Sequence, residues 1–295
     1  MELAIHLRDP AQAHVLNDLS GHLSNVYGEK VFDGLDRSAL IDQSSLRLYS
    51  GDEFCVQRLP HPDELDALCQ LAKGKNRGLT FLTPPLTDDG MDKCSLLFDI
   101  LEERDHRTEV VVNDWGVLLF LKEKYPSFQL SIGRLLNKGF KDPRLINPDE
   151  ASEFSAETAE LFNTCTFDSV EFQAMMQELN VTRLECDLFP FGGPELKHQG
   201  RLQTSVYFPF GYITTGRVCW MKSFNSSSEK KFSISNGCRQ TCNKISLKLK
   251  RTHTNLQLFQ AGNTIFYLYA PSKLAALLKR AKTQKLRLVY QGLIV

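Results

Sequence analysis

Thr108-Glu109-Val110-Val111-Val112-Asn113 runs directly into Asp114-Trp115-Gly116-Val117 and a mixed apolar and charged stretch that reaches Lys124. A short run dominated by β-branched residues, without polar alternation, reads as a strand buried on both faces. Asp114 stands where a helix N-cap belongs, so the spacing predicts a helix from there to Lys124. A strand that passes straight into a helix is one β/α unit, and the unit repeats on either side. Residues 45–50 alternate as a strand and end in Gly51-Asp52-Glu53-Phe54-Cys55. Pro62-Asp63-Glu64 then opens a helix to about residue 73, with proline and acids in its first turn. Residues 78–82 read as a strand closed by Thr83-Pro84-Pro85, and residues 91–103 as a helix. Residues 130–132 are a further strand, followed by Gly133-Arg134-Leu135-Leu136-Asn137.

Beyond a Gly- and Pro-containing loop at 138–148, a helix spans residues 156–179 with a break at 164–168. Strands follow at 181–187 and 204–208, separated by a glycine and proline loop at 189–203. Residues 244–250 and 263–269 also read as strands, residues 272–283 as an amphipathic helix, and residues 286–291 as a last strand. The first 40 residues, interrupted by Gly21, Gly28 and Gly34, give no long pattern. Strands alternating with helices over this length predict an α/β fold, a TIM-barrel-like (β/α) barrel, complete or distorted, in a single domain over residues 1–295.

Composition narrows the function. The chain has 295 residues, with 35 basic and 35 acidic side chains and a pI near 7. That balance gives no general electrostatic reason to bind nucleic acid, although Lys244 to Arg251 form a local basic run. The start lacks an apolar leader, and no run of about 18 apolar residues exists to span a membrane. Eight cysteines in such a chain point to a reducing, cytoplasmic setting, where clustered cysteines mean metal, redox work or core packing more often than disulfides.

Three of the eight fall close together. Gly216-Arg217-Val218-Cys219-Trp220-Met221-Lys222-Ser223 is followed by Asn236-Gly237-Cys238-Arg239-Gln240-Thr241-Cys242. A turn before a Cys-x3-Cys pair wraps the backbone so that thiolates can converge. Zinc usually takes two short-spaced pairs, and a second pair is missing here. Three cysteines with a distant fourth suit an iron–sulfur cluster better. The competing reading for any one of them is a small buried hydrophobe. In parallel α/β folds, ligands gather at the carboxyl ends of strands, where Cys55, Asn113-Asp114 and Arg134 fall. Cys55 can therefore complete a four-thiolate set. Cys69, Cys94, Cys165 and Cys186 read as structural. Arg183 and Glu185 share one strand face, as a substrate-orienting pair or an interior ion pair. Asp114 reads as a cap before it reads as a catalytic acid. Arg217 is a solvated cation or a group that tunes a cluster or binds an anionic substrate. The seven histidines form no close pair, and no P-loop, GxGxxG or Ser-His-Asp order is present.

Four motifs in order resemble the collagenase-like peptidase family U-thirty-two, a group of iron–sulfur proteins despite its name. They are Gly51-Asp52-Glu53-Phe54-Cys55, Val112-Asn113-Asp114-Trp115-Gly116-Val117, Arg183-Leu184-Glu185, and the Gly216 to Cys219 and Cys238 to Cys242 region. The resemblance covers residues 40–291 and is strongest to the ubiquinone-biosynthesis (UbiV) branch. It implies a TIM-barrel core, a cluster-binding region at 210–245, and a 4Fe–4S cluster on Cys55, Cys219, Cys238 and Cys242. It implies a role in oxygen-independent hydroxylation of a quinone precursor, as a heterodimer with a related family protein. RNA-base hydroxylation and peptidase or hydrolase activity are the alternatives within the family. Phe210-Gly211-Tyr212-Ile213-Thr214-Thr215 lacks the peptidase branch's His-Gly pair and extra cysteine, which argues against proteolysis. Val218, between Arg217 and Cys219, and residues 189–203 also depart from the ubiquinone-branch pattern.

Overall fold

The computed structural model describes residues 1–7, 18–35, 40, 46–104, 108–142, 155–162, 164–190, 202–224, 226–234, 238–250 and 254–292. Eight parallel strands close into a barrel in the order β1-β12-β7-β6-β5-β4-β3-β2. Six of them follow each other in the chain: β1 (Glu2–His6), β2 (Leu46–Gly51), β3 (Leu79–Leu82), β4 (Glu109–Val112), β5 (Gln129–Ile132) and β6 (Val181–Cys186). Then come β7 (Gln203–Phe208) and, much later, β12 (Arg287–Tyr290), which pairs with both β7 and β1. β4 is buried along its whole length and leads into a helix, Trp115–Lys124, capped by Asp114. The Asp114 carboxylate accepts the N–H groups of Gly116 at 2.7 Å and Val117 at 3.3 Å.

Other helices cover the barrel at Leu19–Tyr27, Pro62–Gly74, Asp88–Arg104, Val170–Glu178 and Pro271–Thr283. The helix expected at 156–179 is two helices, Ala156–Phe162 and Val170–Glu178, separated by a 3₁₀ turn at Thr166–Asp168. Several elements escaped the sequence reading, the strands Phe210–Thr215 and Leu258–Ala261 and the short helix Glu29–Asp33 among them. β1 is Glu2-Leu3-Ala4-Ile5-His6, buried from Leu3 on, and the helix Leu19–Tyr27 starts at Asp18, which accepts the Gly21 N–H. The expected loop at 189–203 lies mostly outside the described residues. No described helix is long and apolar enough to cross a membrane.

The strands expected at 244–250 and 263–269 are not barrel strands. They are β9 (Leu247–Leu249) and β11 (Thr264–Leu268), which join β8 (Phe210–Thr215) and β10 (Leu258–Ala261) in an antiparallel sheet ordered β8-β11-β10-β9. The reason is the length of the connections. Only Gly262 and Asn263 lie between β10 and β11, and a two-residue link can join antiparallel strands but cannot cross over between parallel ones. Gly262 takes φ +65, as such a turn demands. This sheet is inserted between β7 and β12, so it lies over the carboxyl ends of the barrel strands. Phe54 and Leu135 from the barrel rim pack with Phe210, Tyr212, Phe259 and Phe266 of the sheet in one apolar cluster.

The barrel interior is polar where most such barrels are branched and apolar. An apolar level of Ala4, Tyr49, Leu82, Val111, Tyr207 and Val289 separates two charged ones. On the amino-terminal side, Arg287 pairs with Glu109 and with Glu2, the latter at 2.5 Å. Arg47 reaches Glu2 at 3.0 Å and Arg183 reaches Glu109 at 3.5 Å. Burial works against ionisation of Glu109, but the arginines around it hold its carboxyl below the ordinary range. Such buried pairs gain little net stability, and losing one partner is costly.

Candidate metal centre

The first cysteine is placed by a turn at the end of β2. Gly51 adopts φ +90, and a side chain there would run into the Leu82 carbonyl oxygen at 2.3 Å. Asp52 follows, and one carboxylate oxygen accepts the N–H groups of Phe54 at 2.8 Å and Cys55 at 2.9 Å. This aspartate turn delivers Cys55 to the start of a 3₁₀ turn, Val56–Arg58. The other three cysteines come from the inserted region. The buried Asn263, in the β10–β11 turn, donates to Phe54 O and to Gly216 O, both at 2.7 Å. One amide therefore ties the Cys55 turn, the sheet and the start of the cysteine segment together.

Cys219 caps the short helix Trp220–Ser223, whose Ser223 N–H and hydroxyl both bond to Cys219 O. The Gln240 N–H reaches Cys238 Sγ at 3.4 Å, and the Gln240 side chain donates to Gln57 O at 2.6 Å. The Cys238–Cys242 loop is thus anchored two residues from Cys55. Cys219, Cys238 and Cys242 line a single cavity of about 260 Å³, with Lys222 and Arg239 also in its wall. Cys55 sits within electrostatic reach of Cys242. Burial, reinforced by the Asp52 carboxylate, pushes its thiol up to about 12. Among the described residues, no three His, Cys, Asp or Glu side chains converge tightly enough to hold one metal ion. Three of the cysteines share the wall of one cavity, and Cys55 lies outside that wall.

Arg58 is a member of this neighbourhood that the sequence did not single out. Its side chain is 3 % exposed, and Nε lies 3.2 Å from Asp52 Oδ2. Even so, Nε and Nη2 make no hydrogen bond. Arg58 Nη1 and Cys242 Sγ flank Gly262 from two sides, 3.9 and 3.4 Å from where a Cβ on that glycine would lie. The buried Asp52 carboxylate is the anionic complement of this guanidinium, so the Cys55 turn and Arg58 are held as one buried ion pair.

The barrel mouth beneath holds a second polar cluster. Arg134, fully buried, donates to Glu53, to Asp187 at 2.8 Å and to Gln291 at 2.8 Å, with its guanidinium 3.5 Å from the Tyr207 ring centre. Lys141 reaches Asp187 at 3.5 Å and lies over the Tyr212 ring. Burial lowers the Lys141 amine to about 8, against the pull of Asp187. Tyr212 closes the arrangement, its N–H on Asp187 and its hydroxyl on Arg134 O.

The remaining expected residues fall as follows. Asp114 is a helix cap. Arg183 and Glu185 both face the barrel interior, Arg183 toward Glu109 and Glu185 accepting the Tyr49 hydroxyl at 3.1 Å, so they are an interior network under the apolar level. Arg217 is exposed, and the cavity wall takes its cations from Lys222 and Arg239. Cys69, Cys94 and Cys186 are buried among apolar side chains, and Cys165 pairs its backbone with Gly139. The Asn236-Gly237 turn lies outside the described residues.

No protein-family model matches the chain, and no curated protein matches it. Among solved structures it is similar to the Bacillus cereus spore cortex-lytic enzyme SleL, at 9 % identity over 99 % of this chain and 71 % of that one, with a TM-score of 0.36. So distant a likeness carries no functional argument.

Proposed function

We propose that Cys55, Cys219, Cys238 and Cys242 hold a 4Fe–4S cluster. On this reading the chain is the iron–sulfur component of an oxygen-independent hydroxylation in ubiquinone biosynthesis, working with a related partner subunit on a quinone precursor. The observation that carries it is the cavity lined by Cys219, Cys238 and Cys242, with Cys55, far off in sequence, held beside it within electrostatic reach of Cys242. The donor set fits the group. Sulfurs on one zinc ion lie within about 4 Å of each other, because each bond is about 2.3 Å long. A four-iron cluster binds each thiolate through a separate iron and needs space between them. Arg58, ion-paired with Asp52, places a guanidinium near Cys242 at the edge of this region. When bound, such a cluster supplies one-electron transfer, and full thiolate ligation leaves the chemistry of oxygen insertion to a neighbouring site.

This chain's own residues fix the cysteines in place, the Asp52 turn holding Cys55 and the Gln240 side chain holding the Cys238–Cys242 loop against Gln57. The packed, internally paired mouth of the barrel favours a substrate site shared with the partner over one deep inside this barrel. The test is complementation. In a ubiquinone-producing bacterium lacking its own version of this step, the chain restores anaerobic ubiquinone synthesis, and the Cys55→Ala and Cys242→Ala variants do not. Restoration by those variants would contradict the proposal. Restoration of a missing modified RNA base instead would favour the RNA branch of the family.

A further inference from the structure

Charge is distributed unevenly in this neutral chain. Residues 216–250 carry eight basic side chains (Arg217, Lys222, Lys230, Lys231, Arg239, Lys244, Lys248 and Lys250) and one acidic, Glu229, a net of +7. With 35 of each sign in the whole chain, the rest is left at −7. The positive end is the segment that builds the cysteine cavity. The same segment exposes Trp220, Phe224, Phe232, Ile234 and Ile245. Trp220 meets Phe232 edge to face at 6.2 Å, Lys222 Nζ reaches Ser233 O at 3.5 Å, and the Ile245 N–H bonds to Thr241 O beside Cys242. An exposed apolar patch with a charged border is the anatomy of a protein docking site.

We propose that this face docks an acidic one-electron carrier protein, which delivers electrons to the cysteine site. The inference rests on the cluster reading above for its purpose and on the surface for its partner. Charge complementarity selects an acidic protein and steers the encounter. The composition of the patch separates it from a nucleic-acid platform. Single strands are held by stacking on open aromatic faces. Here the two rings of closest approach are packed edge on, and isoleucines offer no ring for a base. Position supplies the rest: Cys219 adjoins Trp220 in the chain, and Lys222 belongs both to the cavity wall and to the basic border. One electron would leave the reduced carrier, which becomes oxidised, for the metal group at the cysteines. No atom or proton need move.

The test is calorimetric titration of the full chain with two acidic carriers, a plant-type ferredoxin and a flavodoxin, at low and at physiological salt. Iron content is measured on the same samples. The expected result is saturable one-to-one binding of at least one carrier, weakening as salt rises. It should fall about tenfold or more in Lys230→Glu/Lys231→Glu/Lys244→Glu, and again in Phe224→Ser. Circular dichroism checks that these surface variants fold. Absence of binding to both carriers at low salt overturns the proposal, as does binding that charge reversal leaves unchanged. Tighter binding of a single-stranded oligoribonucleotide to the same residues, or occupation of the face by a second copy of the chain, also overturns it. Carrier binding by a wild-type protein that takes up no iron would sink the cluster reading while leaving the docking face in place.

Discussion

Replacing Glu185 by glutamine should make the protein more stable, and only above mildly acidic pH. Glu185 is fully buried in the barrel, with one oxygen accepting the Tyr49 hydroxyl and the other unpartnered. Burial raises its carboxyl from 4.5 to about 7, with Arg287 and Arg183 opposing the rise and Glu109 adding to it. Below about pH 4.5 the group is protonated whether the chain is folded or not, and it costs nothing. As pH rises, the unfolded chain gives up the proton first, while the folded chain holds it until about 7. Stability therefore drops across that window and is level above it. Each tenfold change in proton affinity is worth about 1.4 kcal/mol, so the loss amounts to about 3 kcal/mol. Glutamine keeps an acceptor for Tyr49 and has no proton to lose. Urea unfolding from pH 4 to pH 8 measures the difference. The variant's advantage should grow by about 3 kcal/mol, or about 1 M in midpoint at an m-value of about 3 kcal/mol/M. Parallel curves for the two proteins would refute the assignment of a strained, proton-holding carboxyl to this position.

Three other outcomes follow from the same structure. Arg134→Met strands the buried Glu53 and Asp187 carboxylates and should cost about 3–5 kcal/mol in chemical denaturation, with no loss if the mouth cluster is loosely hydrated. Asp114→Ala removes the helix cap alone and should cost about 1 kcal/mol without changing iron uptake or activity, and a specific loss of activity would restore Asp114 as a catalytic candidate. Arg58→Gln should lower the midpoint potential of the reconstituted protein in a potentiometric titration, and Arg58→Lys should lower it less, because a positive charge favours the reduced state; unchanged potentials would place Arg58 outside the reach of the metal group.

The barrel was legible because its strands and helices announce themselves locally. Glu109 to Val112 read as a buried strand, and Asp114 read as a cap at its end before it read as a catalytic acid. β1 was harder to see, since five residues gain their meaning from pairing with β12, more than 280 residues away. The separate sheet was hidden for a similar reason: β9 and β11 look like any strands, and the strand between them, β10, was missed, although the two-residue Gly262-Asn263 link forces β10 and β11 to pair antiparallel. The spacing of Cys219, Cys238 and Cys242 foreshadowed the cavity they share, whereas the nearness of Cys55 to Cys242 depends on packing across the barrel rim. Arg58 left no signal, because a lone arginine in a 3₁₀ turn acquires its interest only from burial and its ion pair with Asp52. The polar barrel core was foreshadowed by Arg183 and Glu185 sharing a face, while their partners Glu109, Tyr49 and Arg287 come from three other strands.

The most direct test of the central claim is iron and acid-labile sulfide quantitation, with a visible spectrum, on protein purified and reconstituted without oxygen. Wild type is compared with Cys55→Ala, Cys219→Ala, Cys238→Ala, Cys242→Ala and, as a control in the apolar core, Cys186→Ala. The account predicts about four irons and four sulfides per chain and a broad brown absorbance. These should be retained in the control and lost or reduced in each of the four variants. A colourless wild type without iron after reconstitution, or iron that survives all four substitutions, would contradict it.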